Sequence, residues 1–221
     1  MKLVLNALVK FTLGLVLVGA MLFLPAGSMT YLGGWLFIGL LFIPMLLLGV
    51  VLLIKAPDLL RRRLDVKEKE NTQKGVVALS GLTFVVGFVV AGLDFRFGWS
   101  HVPVWTVIAA SAILLIAYAL YAEVMRENAY LSRTIKVQEG QSVVDTGLYG
   151  VVRHPMYAVT IWLFLAIPLV LGSWWSLICF ATYLPVIVVR ILNEEKVLER
   201  ELDGYADYKK RVKYRILPFV W

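Results

Sequence analysis

Long apolar stretches separated by short polar segments dominate the chain. Four of them reach the ~20 residues that a helix rising about 1.5 Å per residue needs to cross about 30 Å of hydrocarbon. Small residues at Ala26–Ser28 leave a cleaved signal peptide as the alternative for the first stretch, although its length favours a membrane helix. The pattern predicts four membrane helices, at Leu3–Leu24, Tyr31–Ile54, Val76–Leu93 and Val104–Ala122.

A fifth apolar stretch, Met156–Val189, contains no charged residue and is too long for one straight membrane helix. Gly172-Ser173 at its centre is a turn signal, and the following Trp174-Trp175 is typical of a membrane interface. We therefore predict a helical hairpin with legs of roughly 16 residues, or about 24 Å each.

The composition places the chain in the all-α integral membrane class. Hydrophobic residues make up 60% of it and charged residues 17%, and its mean hydropathy is +0.80, values that a soluble domain of this size does not reach. A single cysteine, Cys179, excludes an intramolecular disulfide, and two histidines without suitably spaced carboxylates indicate no metal site. The fold expected is about six membrane helices, the last two forming the short hairpin.

The net charge of +7, from 22 Lys and Arg against 15 Asp and Glu, could indicate a nucleic-acid partner. Its distribution indicates orientation instead, because all these cations except Arg96 fall in segments on one side of the predicted helices. The positive-inside rule then predicts that both termini are cytoplasmic, and no nucleic-acid partner is expected. The basic segment Lys55–Lys74 is either a solvated loop or a contact with anionic lipid headgroups.

The predicted hairpin brings its two ends to the same depth at the cytoplasmic boundary. Pro155 favours the first helical turn and places His154 at or before the helix start. At the other end, Arg190 and Glu194 are i and i+4 on one helix face. His154, Tyr157, Arg190 and Glu194 can therefore converge where a water-soluble cofactor and a lipid-borne substrate could meet.

A series of short motifs accompanies these residues in the last third of the chain. In order they are Gly147-Leu148-Tyr149, Arg153-His154-Pro155-Met156-Tyr157, the uncharged hairpin, Arg190 with Glu194-Glu195, Gly204-Tyr205 with Tyr208, and Leu217-Pro218.

These motifs, in this order and spacing, resemble the isoprenylcysteine carboxyl methyltransferase family over about Gln138–Trp221. The resemblance implies a membrane-embedded transferase that uses S-adenosylmethionine without a Rossmann domain, and the chain has no Gly-x-Gly-x-x-Gly fingerprint. The apolar stretches give a four-helix transmembrane region at residues 1–122, which matches the family only as generic membrane helices. The resemblance implies a catalytic region at 123–221, with a cytoplasmic C-terminal cofactor-binding part.

Carried over residue by residue, the resemblance assigns Arg190 and Glu194 as catalytic, with Arg190 also addressing the acceptor carboxylate. Gln141 stands where eukaryotic family members often have His. The connection between Glu195 and Tyr205 is about one residue shorter than in the family, so either Glu194 or Glu195 could be the glutamate that contacts the cofactor. The cofactor contacts implied are Gln138, Ser142, Val143, Val144, Tyr149, His154, Pro155, Met156, Tyr157 and Glu194.

Methyl transfer to a carboxylate needs no base, because that acceptor is ionised at neutral pH. An amine acceptor, as in phospholipid N-methylation, would need one, and Glu194, Glu195 or His154 could serve. For a thiol acceptor, a nearby Arg190 would lower the pKa of the thiol and so favour the reactive thiolate. The acceptor, lipophilic or lipidated, thus stays open, and membrane lipids are the other expected partners.

Two further interpretations remain. The segment Tyr214–Trp221 is similar to the ends of membrane sterol reductases, which would use NADPH. A transporter is disfavoured by the lack of charges near the centre of any predicted helix. A non-catalytic membrane protein would have no need for the convergence of His154, Arg190 and Glu194. The membrane is a prokaryotic plasma membrane or, in a eukaryote, the endoplasmic reticulum.

Overall fold

The structure, a computed structural model, describes residues 2–64, 71–132 and 137–221. Within these ranges the chain is helical and has no β-strand. The helices are α1 (Lys2–Ala26), α2 (Leu32–Lys55), α3 (Pro57–Leu64), α4 (Asn71–Phe97), α5 (Val104–Glu127), α6 (Pro155–Val170), α7 (Trp174–Ala181), α8 (Tyr183–Glu201) and α9 (Tyr205–Arg211), with a 3₁₀ turn at Gly147–Gly150.

Five helical segments of the described chain are long and apolar enough to cross a membrane, namely α1, α2, α4, α5 and the combined α7–α8. The first leg of the hairpin, α6, is a shorter apolar helix of 16 residues. The prediction of an all-α integral membrane protein is confirmed. Some boundaries differ, since α4 runs from Asn71 to Phe97 rather than from Val76 to Leu93, and α5 continues beyond Ala122 to Glu127. The charged run Lys67–Glu70 lies outside the described residues.

The hairpin turns where the sequence predicts it. Gly172 has a φ of +78°, a left-handed conformation that suits glycine, and the Ser173 hydroxyl accepts the Ser176 backbone N–H at the start of α7. The same hydroxyl donates to the buried Asp94 carboxylate at the end of α4, at 2.5 Å. Tyr31 donates its phenolic hydrogen to the Leu171 carbonyl at 2.6 Å. The tip of the hairpin is thus tied to both α2 and α4.

The second leg of the hairpin differs from the single short helix expected. It is interrupted between α7 and α8 at Thr182, whose hydroxyl donates to the Cys179 carbonyl. Pro185, which has no backbone N–H, then occupies the first turn of α8, where a helix tolerates proline. Beyond Val189 the helix continues without a break to Glu201, so the apolar leg and the polar segment with Arg190 and Glu194 form one continuous helix.

Close packing holds the hairpin against the rest of the helices. Its first leg, α6, packs mainly along α5. A side chain at Gly87 of α4 would come within 2.4 Å of the Phe180 ring, so α7 approaches α4 at van der Waals contact. Fully buried side chains at the centre of this core include Phe37, Leu114, Ile167, Val170 and Phe180.

A buried ion cluster around Glu195 fixes the end of the hairpin that lies opposite its Gly172 turn. The Glu195 carboxylate lies 2.7 Å from Arg153 Nη2, with both side chains under 5% exposed, and it also accepts from Arg215 Nε at 3.0 Å. Arg153 donates further to the carbonyls of Val212 and Lys213. The cluster therefore joins the start of α6, the end of α8 and the C-terminal tail.

We expect Glu195→Gln to destabilise the protein strongly, because it leaves the Arg153 guanidinium buried without its counter-charge. Removing one partner of a buried ion pair costs about 3–5 kcal/mol. The free energy of unfolding of the purified protein in detergent micelles should fall by about that amount.

The matched control is Glu199→Gln on the same helix, whose pair with Lys209 is about 40% exposed. Exposed pairs are worth about 0–1 kcal/mol, so this variant should unfold nearly as the wild type does. Equal losses in the two variants would contradict the role assigned to the buried cluster.

Candidate active site

A cavity of about 990 Å³ lies between the membrane helices and the loop that follows α5. The part of the cavity near the two ends of the hairpin is polar and carries most of the candidate residues, whereas the part between the membrane helices is apolar. The polar part is lined by Gln141, Ser142, Tyr149, His154, Tyr157, Arg190, Glu194 and Tyr205, and the apolar part by Phe11, Phe42, Leu52, Gly81, Phe84, Leu163 and Phe164.

Arg190 and Glu194 face the cavity from adjacent turns of α8, as the i, i+4 spacing predicts. The hydroxyl of Tyr157, from the first turn of α6, lies between them. It accepts a hydrogen bond from Arg190 Nε at 2.8 Å and donates one to Glu194 Oε2. The two ends of the hairpin are therefore joined by side chains at the wall of the cavity.

Glu194 and Glu195 differ in what their carboxylates face. Successive residues of an α-helix point about 100° apart, so the two carboxylates cannot share a face. Glu194 lines the cavity, whereas Glu195 points away from it into the ion cluster with Arg153. His154 Nε2 lies 3.4 Å from Glu195 Oε1, so the carboxylate helps to fix the orientation of the imidazole ring.

Tyr149 reaches the cavity from the 3₁₀ turn. Its hydroxyl accepts from Asn128 Nδ2 at 3.0 Å, and its carbonyl accepts from the hydroxyl of Tyr208 at 2.7 Å. Burial raises the pKa of Tyr149 to about 12, so the phenol keeps its proton at neutral pH and can donate a hydrogen bond to a ligand.

Most residues assigned by the resemblance lie on the cavity, and two do not. Ser142, Val143, Val144 and Met156 line it together with the residues above. The side chain of Gln138 instead donates to the Tyr130 carbonyl and braces the loop. Pro155 is buried at the start of α6, outside the lining. The roles of all these residues toward a cofactor stay predictions.

The hydroxyl of Tyr205 gives a direct test of whether the cavity suits a polar ligand. It is buried, lines the cavity, and has no hydrogen-bond partner within the described parts of the chain. Burial also raises the pKa of Tyr205, so the group is a neutral donor. A buried polar group without a partner costs free energy, and a bound nucleoside or amino-acid group would satisfy it. The residues present thus fit a ligand such as S-adenosylmethionine.

Four residues at or behind the cavity were not singled out from the sequence: Gln73, Arg63, Tyr121 and Asn128. Arg63 bonds the hydroxyl of Tyr121 at the cavity wall, while its neighbour Arg61 pairs with Asp58 at the exposed surface. Gln73 lies behind Arg190 and bonds it. No local motif marks these positions, because their neighbours in the fold are distant in sequence.

Comparisons with known proteins give one family match and two partial similarities. Residues 105–203, a little under half of it, match the model of the phospholipid methyltransferase family. Delta(14)-sterol reductase of Mus musculus is 29% identical over 99 residues, which are 40% of this chain and 22% of the reductase. The uncharacterized protein YpbQ of Bacillus subtilis (strain 168) is 32% identical over 96 residues, which are 43% of this chain and 57% of that protein.

The matched residues reach from α5 to the end of α8 and include Tyr149, the hairpin, Arg190 and Glu194. The separate alignments with the two curated relatives span about a fifth of the mouse reductase and a little over half of the Bacillus protein. The match to phospholipid methyltransferases and the helical membrane fold together support a membrane methyltransferase, a class for which S-adenosylmethionine is the implied methyl donor.

Proposed function

We propose that this protein transfers a methyl group from S-adenosylmethionine to a lipophilic acceptor in the membrane, with a carboxylate such as that of an isoprenylcysteine as the leading acceptor. One observation carries the proposal: a single cavity joins a polar cytoplasmic part to an apolar part between membrane helices, with Arg190 and Glu194 on its wall. A water-soluble donor and a lipid-borne acceptor could meet there.

In this proposal the polar part of the cavity holds the cofactor. S-adenosylmethionine supplies an electrophilic methyl carbon on a positively charged sulfonium. The Glu194 carboxylate complements that charge, and the aromatic faces of Tyr149 and Tyr157 favour a nearby cation. The hydroxyl of Tyr205, buried without a partner among the described residues, donates to a polar atom of the ligand.

The apolar part of the cavity holds the lipid chain, and its phenylalanines and leucines exclude water from the reacting carboxylate. Arg190 holds that carboxylate through its guanidinium, which suits planar anions. Since the carboxylate is already ionised, the work left to the protein is alignment and water exclusion. Residues 123–221 supply most of this machinery, and residues 1–122 supply most of the apolar walls.

Amine methylation is the second candidate, and the match to phospholipid methyltransferases favours it. Glu194 would then take the proton from the amine, because its carboxylate is the acidic side chain on the wall of the cavity within the described residues. A thiol acceptor and an NADPH-dependent reduction of the sterol-reductase type are the remaining enzymatic alternatives. The orientation proposed for all of them places both termini in the cytoplasm.

The first prediction concerns the cofactor. His154→Ala and Glu194→Ala should each weaken binding of S-adenosylmethionine to the purified protein at least tenfold, a loss of about 1.4 kcal/mol, because each removes a polar group from the cavity wall. Isothermal titration calorimetry in detergent measures the affinities, with NADPH as a parallel ligand.

Glu199→Gln, an exposed change on the same helix, is the control and should bind as the wild type does. Wild-type affinity in both His154→Ala and Glu194→Ala would refute the site assignment. Binding of NADPH in place of S-adenosylmethionine would favour a reductase.

The second prediction concerns the acceptor. Arg190→Ala should lower kcat/KM for a carboxylate acceptor by about 100-fold, near 2.7 kcal/mol, while cofactor affinity changes by less than about twofold. Methylation with labelled cofactor and N-acetyl-S-farnesylcysteine measures this. The control is Arg200→Ala, an exposed arginine on the same helix.

The third prediction concerns the acceptor class. Membranes containing the protein, incubated with methyl-labelled S-adenosylmethionine, should transfer label to a prenylcysteine in preference to a phosphatidylethanolamine or a lipophilic thiol. Label in a base-labile ester is the expected product. Label found mainly in the phospholipid headgroup would indicate that the acceptor is an amine and not a carboxylate. A membrane without any labelled product would favour a non-catalytic role.

A further inference from the structure

Gln73 of α4 makes a hydrogen bond with Arg190. Arg190 Nη1 donates to Gln73 Oε1 at 3.0 Å, and Gln73 Nε2 lies 3.5 Å from the Arg190 carbonyl oxygen. The amide thus contacts both the side chain and the main chain of Arg190. Because a guanidinium has donors and no acceptor, the amide oxygen must be the atom that faces it.

Gln73 is completely buried, which is unusual for a glutamine in a protein of this size. It does not line the cavity, but the same stripe of α4 does, at Val77, Gly81 and Phe84. These positions follow Gln73 at intervals of 4, 8 and 11 residues and so lie on one helix face. Gln73 therefore lies at the amino-terminal end of an α4 stripe whose other members, apart from Ser80, are apolar.

Gln73 also lies outside residues 105–203, the part of the chain that matches the phospholipid methyltransferase family. The contact with Arg190 joins the amino-terminal helices to a candidate acceptor-binding side chain on α8, across 117 positions of sequence.

We propose that Gln73 is a positioning and specificity-determining residue, which orients the Arg190 guanidinium toward the cavity and selects an acceptor with an anionic group. This inference rests on the proposed function and extends it to a residue of α4.

The selectivity follows from charge. Gln73 and Tyr157, which both bond the guanidinium, are uncharged, so neither adds a negative charge beside Arg190 to that of Glu194, which already acts on it. A glutamate at position 73 could make the same hydrogen bond but would form an ion pair with Arg190. In a buried site such a pair attracts strongly and would compete with the negative group of a ligand. The neutral amide positions the cation without competing for it.

The test compares Gln73→Glu, which keeps the acceptor atom and adds a charge, with Gln73→Met, which keeps the approximate volume and removes the acceptor. Binding to purified protein in nanodiscs is measured for N-acetyl-S-farnesylcysteine and for its uncharged carboxamide. The control is Thr83→Val, which removes another contact between α4 and the hairpin, with Thr182 at 3.2 Å, away from Arg190 and the cavity.

Wild type should bind the acid at least tenfold more tightly than the amide. Gln73→Glu should lose most of this discrimination by weakening only the acid, and Gln73→Met should lower kcat for the acid with a smaller change in KM, because Arg190 is then misaligned. Both variants should bind S-adenosylmethionine within about twofold of wild type, and Thr83→Val should retain full discrimination.

Wild-type discrimination in both Gln73 variants would overturn the inference while leaving the proposed function intact. A uniform loss of cofactor and acceptor affinity in both, with Thr83→Val unaffected, would overturn it in favour of a structural role for Gln73. A wild-type protein that binds S-adenosylmethionine but does not distinguish acid from amide would overturn the carboxylate acceptor, and this inference with it. Should Gln73→Glu fail to fold, the kcat and KM values of Gln73→Met decide.

Discussion

The buried ion pair between Arg153 and Glu195 is the constraint on which the arrangement of the site depends. It joins Arg153, two residues before α6, to Glu195 in the last two turns of α8, and so holds together the two ends of the uncharged hairpin Met156–Val189. It also fixes the rotation of α8 about its axis. With Glu195 turned into the ion cluster, Arg190 and Glu194 on the neighbouring face must point into the cavity. A structural contact outside the cavity thereby determines which side chains line it.

Much of this could be predicted from the sequence, because the bilayer imposes simple rules. The lengths of the apolar stretches give the membrane helices, and Gly172-Ser173 marks the turn that brings Arg190 back near His154. Gln73 could not be found in this way. The apolar pattern of α4 becomes clear only near Val76, and a polar residue before it is ordinary in a loop. Only the packing of α4 against α8 gives that residue a partner.

The choice between Glu194 and Glu195 illustrates a second limit of sequence reasoning. Two adjacent glutamates are equivalent in composition and charge, and a resemblance with a one-residue difference in spacing cannot separate them. Packing separates them, because Arg153 and Arg215 surround one carboxylate and the hydroxyl of Tyr157 meets the other. The hydroxyl of Tyr205, which has no hydrogen-bond partner among the described residues, is likewise a property of the folded chain, since it depends on what the surrounding helices place within reach.

Gln73 and Tyr157, two uncharged residues that bond Arg190, affect how a reaction cycle would end. In the proposed reaction, methylation turns a carboxylate into a neutral ester, so the attraction that held the substrate to the guanidinium disappears with the chemical step. The bonds from Gln73 and Tyr157 keep the cation in place and hydrogen-bonded after that loss. Product release would then need no conformational switch: the ester is held by its lipid chain alone and can diffuse back into the bilayer from which it came.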